Sequence, residues 1–156
     1  MSTSEERAAM SKDVDAIIPM ACNGNKLAER YLHDIAWANR VIDDIYDEDV
    51  SVSKNDKENL FKIILLDIPT NPFYLQNYHI LIAQHAVIYN AWMDANRWEK
   101  DEAETKRICA HFIKEYVCEL IPLVAFLTGG TMLMRKISLM SREMFLNELP
   151  VKAEVK

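Results

Sequence analysis

Apolar residues recur along most of this chain at helical spacing rather than in strict alternation, and the gaps between runs carry helix stop and start signals. The spacing predicts a first helix from Ser4 to Ala21, interrupted at Pro19 or closed by Asn23-Gly24-Asn25. A second runs from about Asn25 to Asp47, with its apolar stripe at Tyr31, Ile35, Ala38, Ile42 and Ile45. After the polar stretch 49–56, a third is predicted near Lys57 to Asp67, where Pro69 forces the stop.

Asn71-Pro72 supplies an N-cap followed by proline at the first helical position, a specific start signal. The helix it opens is expected to continue to Trp98. A fifth covers Asp101 to Leu127, bends at Pro122 and ends at Gly129-Gly130. Thr131 caps a sixth, which carries Leu133, Ile137, Met140 and Met144 before Pro150. The fold class expected is therefore all-α: one domain over residues 1–150, a bundle of about six helices, and a frayed tail at 151–156. The helix near residues 72–98 is expected to be central. Tyr78, Leu81, Ile82, Tyr89 and Trp92 share one of its faces while Ile80, Ala83 and Val87 occupy the opposite one. A helix apolar on two sides needs neighbours on two sides. His85 and Asn96 fall inside the first apolar face, and a core histidine bonded to a carbonyl or tyrosine is the reading given to His85.

Composition narrows the class further. The chain has 156 residues, 50% hydrophobic and 27% charged, which is ordinary globular usage and long enough to bury a core. A net charge of -6 disfavours binding to nucleic acid, which depends on neutralising phosphates with Lys and Arg. Three cysteines with no CxxC pair argue against a disulfide framework or zinc ribbon and suit a reducing, cytoplasmic setting. The start of the chain lacks the pattern of a secretory signal. The apolar stretch from Val117 to Leu127, broken by Glu119 and Pro122, is too short to span a bilayer, so no membrane is expected as a partner.

The candidate chemistry sits at the end of the second helix, where Asp43, Asp44, Asp47, Glu48 and Asp49 crowd the negative pole of the helix dipole. Their repulsion calls for a bound cation, a basic partner, or water and salt. Asp43 and Asp47 project on one side with Asp44 beside them, a plausible half-site for magnesium, which takes hard oxygen ligands. Asp43-Asp44-Ile45-Tyr46-Asp47 is a DDxxD sequence, and in that respect resembles the aspartate-rich motif of class I isoprenoid synthases. The resemblance implies an all-helical enzyme that holds a substrate diphosphate through magnesium. It covers five residues. The second metal-binding helix of that family would correspond to Asn90 and Asp94, with Trp98 where its glutamate would fall and Glu99 one place late. His33-Asp34 matches the dyad of HD-type metal phosphohydrolases but lacks an upstream histidine. MazG-like pyrophosphohydrolases share acids on helices without sharing a motif with this chain.

Two functions follow as expectations. One is a small acidic interaction protein that meets a protein partner or a second copy through the 43–49 patch or the Met-rich last helix. The alternative is a magnesium-dependent protein for a phosphorylated or diphosphate ligand. In that reading Asp43, Asp44, Asp47, Asn90 and Asp94 hold metal while Arg40 or Arg97 meets phosphate. Magnesium is the only cofactor this pattern suggests. The second reading requires Asp44 or Asp47 to stand within metal-bridging reach of Asp94.

Overall fold

The computed structural model describes residues 4–48 and 50–146, all of them helical or connecting, with no strand among them. Asp49, Pro150 and the 151–156 tail lie outside the described residues. The chain divides into two compact units, residues 26–120 and the two chain ends, 1–25 with 121–156.

In the unit formed by the chain ends, α1 (Ser4–Cys22) continues through Pro19 for another turn before Asn23 and Gly24 close it with positive φ. Asn and Gly are the residues that tolerate this left-handed geometry. The Thr128 hydroxyl donates to the Ala21 carbonyl at 2.8 Å, and the Asn23 amide donates to the Thr128 carbonyl at 3.0 Å. One of the carbonyls left open at the end of α1 is thus satisfied by the other helix of the unit. That helix, α7 (Leu120–Leu146), carries Pro122 in its first turn, where a missing N–H costs nothing. The bend expected at Pro122 therefore comes earlier, as a 3-10 turn over Glu115–Glu119. Gly130, at φ 76° and ψ −170°, breaks the helical backbone where the sequence predicted a stop. Only glycine holds that conformation without strain.

Ile17, Ala21, Ile121, Ala125 and Ile137 form the core here, and Leu133, Met140 and Met144 pack against it. The apolar stripe of the last helix is thereby spent on closing the core. Met132 points out of it and is 88% exposed. The helical run Glu104–Met144 contains one segment long and apolar enough, by length and composition, to cross a membrane. The apolar run extends past Val117–Leu127 because apolar residues resume beyond the glycines, on the far side of the break at Gly130.

In the unit of residues 26–120, α2 (Lys26–Asp47) buries Ala28, Tyr31, Leu32, Ala38 and Val41. Ile45 of the predicted stripe is exposed. α3 (Lys54–Lys62) starts three residues before the predicted point, because Ser53 caps it: its hydroxyl accepts from the Asp56 amide at 3.0 Å and donates to the Asp56 carboxylate at 2.6 Å. A π-helical turn, Ile63–Asp67, follows. The Asn71-Pro72 start signal holds. The Asn71 carboxamide oxygen accepts from the Phe73 and Tyr74 amides, and its nitrogen donates to the Leu27 carbonyl at 3.0 Å. The helix it opens breaks at Asn77 into α4 (Pro72–Gln76) and α5 (Tyr78–Trp98). α6 (Glu104–Lys114) then folds back along α5.

Helix α5 is buried along one side only. Leu81, Ala91, Ala95 and Asn96 are buried, whereas Tyr78, Ile80, Ile82, Val87, Tyr89 and Met93 are exposed. Of the two apolar faces in its sequence, neighbours in this unit cover part of the first and none of the second.

Candidate site at the C-terminal end of α2

The acidic end of α2 meets a counter-charge from later in the chain. The Lys114 ammonium, on the last turn of α6, lies 3.1 Å from Asp43, 3.2 Å from Asp47 and 2.9 Å from Glu99. Its side chain is only 14% exposed. Burial by itself would lower the Lys114 pKa, but the hydrogen bond to Glu99 and the charge of Asp43 outweigh it and hold the ammonium above its ordinary range. Asp43 also accepts from the Trp92 indole N–H at 3.2 Å. Trp92 packs edge-on against Tyr46, ring centroids 4.8 Å apart. Three helices therefore converge: α2 brings the carboxylates, α5 brings Trp92 and, just past its end, Glu99, and α6 brings the lysine.

Asp47 and Glu48 face solvent, whereas Asp43 and Asp44 are half-buried. Asp43 is reached by Trp92 from α5 and by Lys114 from α6. Glu48, exposed and with φ 55°, ends α2 in the left-handed region.

The remaining site residues named from sequence do not join the cluster. Trp92 faces Asp43, and at about 100° per residue Asp94 is turned about 160° away from it, as is Asn90 on the other side of Trp92 in sequence. Both are exposed, and the Asn90 amide reaches the Asp94 carboxylate at 3.4 Å along the helix. Asn90 and Asp94 thus do not complete a ligand set with Asp43, Asp44 and Asp47. Among the described residues no group of three or more His, Cys, Asp or Glu side chains is arranged to hold a metal ion. Arg40 stands half-buried one turn before Asp44, and Arg97 is exposed on the last turn of α5.

Sequence reasoning missed Lys114, Glu99, Trp92 and Asn96 as members of one site. A signal existed: Trp92, Asn96 and Glu99 recur at i, i+4 and i+7, one strip of α5. Asn96 lies between two residues bonded into the cluster. It is buried, 6% exposed, and neither atom of its carboxamide has a hydrogen-bond partner among the described residues.

A second polar cluster lies deeper. The Tyr31 hydroxyl is 2.7 Å from His85 Nε2, and the rings of Tyr31, Tyr74 and His85 lie nearly parallel at 5.7 to 6.0 Å. Burial pulls the His85 pKa down and pushes the Tyr31 hydroxyl up. His85 is the tyrosine-bonded core histidine expected from its position, tying α5 to α2. His33 is exposed beside the half-buried Asp34, and neither belongs to a group of three metal-ligating side chains among the described residues.

No protein-family model, curated protein or solved structure matches this chain. The functional reading rests on the geometry.

Proposed function

We propose that this chain is a helical interaction protein that receives an apolar helix of a partner on the outward face of α5. The observation that carries the reading is a row of exposed side chains: Tyr78 (43%), Ile82 (39%), Tyr89 (64%) and Met93 (44%), with Ala86 at its centre. These positions are spaced by three and four residues and run for about 22 Å along one side of the helix. A contiguous apolar row of that length marks an interaction surface, unlike scattered exposed leucines. Covering the exposed half of each side chain contributes about 1 kcal/mol apiece, about 4 kcal/mol before the costs of association. The row fits the helix-in-groove mode, with anchors one turn apart.

The magnesium reading has less support, because an ammonium already stands among Asp43, Asp47 and Glu99 and because Asp94 faces elsewhere. The Met-rich stripe of α7 is taken up by the core around Ile17 and Ala21.

A photo-crosslinking side chain placed at Tyr89 in the cells that make the protein tests the proposal. A defined adduct at position 89, lost in an Ile82→Glu variant and absent when the probe stands at the exposed Lys57, is expected. Equal, diffuse labelling at the two positions would refute it.

A further inference from the structure

We infer that the end of α2 is a recognition site for a guanidinium group, the arginine side chain of a basic partner segment or a free guanidino compound. The inference is independent of the α5 face. Four observations converge on that chemistry. First, one ammonium is set against the three carboxylates Asp43, Asp47 and Glu99, leaving a surplus of two negative charges in the cluster. The open carbonyls at the C-terminal end of α2 add to the negative potential.

Second, the cluster is bordered by a buried carboxamide with unmet hydrogen bonds. Trp92, Asn96 and Glu99 share one strip of α5, and the outer two are bonded to Asp43 and Lys114. Asn96, between them, is buried with both carboxamide atoms unpartnered among the described residues. A buried amide in that state costs free energy unless something binds it. Third, the Tyr46–Trp92 pair adjoins the acids and Tyr46 is 52% exposed, so an aromatic surface is open from outside. Fourth, the acids themselves remain accessible: each carboxylate paired with Lys114 is 32% exposed.

Among cations, guanidinium fits best. It presents five donors in a plane, enough to serve the carboxylates and, where it displaces the side chains that seal the amide, the Asn96 oxygen as well. It also stacks on aromatic rings and is weakly hydrated, so a half-buried site beside Trp92 costs it less than it costs an ammonium or magnesium.

The test is a titration of the full chain, at constant ionic strength, with N-acetyl-arginine amide, an arginine-containing hexapeptide, N-acetyl-lysine amide and magnesium chloride. The readouts are the side-chain NMR signals of Asn96 and the Trp92 indole. Saturable shifts of both with the arginine compounds are expected, with weaker shifts from the lysine analogue. Tighter binding of the hexapeptide would identify a protein segment as the source, and equal binding a free guanidino compound. Asn96→Leu, which removes the unmet amide, and Asp47→Asn, at an exposed position, should each weaken binding about tenfold or more while circular dichroism stays unchanged. Tyr89→Glu should leave arginine binding intact, so failure of the α5 proposal and failure of this one are distinguishable. The inference is overturned by shifts that sodium chloride reproduces, by a response to magnesium without one to arginine, or by undiminished binding in Asn96→Leu.

Discussion

Replacing Lys114 with methionine keeps most of the methylene stem and removes the charge, leaving Asp43, Asp47 and Glu99 together without their ammonium. Exposed ion pairs contribute about 0–1 kcal/mol, whereas stripping one partner from a buried pair costs about 3–5 kcal/mol. Here the lysine side chain is 14% exposed and the carboxylates 32%, between those limits. The expected loss is about 2 kcal/mol, a fall in Tm of roughly 4–8 °C for a chain of this size. Denaturation followed by circular dichroism at neutral pH measures it. Because the penalty is largely repulsion, it should shrink with added salt. Adding Asp43→Asn and Asp47→Asn to the methionine variant should restore more than half of it.

The pH dependence has a fixed sign. The folded-state pKa of Lys114 lies above its unfolded value, so its contribution is fully present below about pH 10.4 and is lost as pH rises through the folded value. The gap between wild type and variant should therefore persist from neutral pH to about 10 and narrow above it. A methionine variant within about 0.5 kcal/mol of wild type would show that Lys114 is a solvated surface lysine and that the three-helix junction owes nothing to it.

Three further outcomes are expected. Asn71→Ala removes the cap of α4 and the amide that ties it to the Leu27 carbonyl of α2, which should cost about 2 kcal/mol in chemical denaturation; a neutral result would remove the α4 cap from the account. Burial lowers the His85 pKa below its unfolded value, so stability is present above about pH 6.5 and lost as pH falls through the folded value. His111 is shifted the same way by burial, so the readout is the difference between wild type and His85→Gln: the variant should lose less stability between pH 6.5 and 5, and equal slopes would contradict the assignment. Magnesium at constant ionic strength should leave the melting curve of the wild type and of Asp44→Asn/Asp47→Asn unchanged, whereas a rise confined to the wild type would restore the metal reading.

Helix class and most start and stop signals were legible in the sequence, because they depend on neighbours within one turn. Asn71-Pro72 capped a helix and Gly130 broke one where local geometry required it. The position of His85 inside an apolar face foretold its tyrosine partner. The start of α3 was misplaced only because the Ser53–Asp56 cap went unread. The acid cluster itself was also plain, as was the need for something to relieve it.

What relieves it was not legible, since Lys114 is 67 residues from Asp47 in the chain and nothing in its local sequence marks it as their counter-ion. Helix phase settled the rest: turning Trp92 toward Asp43 turns Asp94 away, and covering one side of α5 leaves Tyr78, Ile82, Tyr89 and Met93 outside. A hydrophobic pattern states which faces want burial. Only the packing of helices distant in sequence decides which of them are covered, because that choice depends on relative helix positions that no local residue encodes.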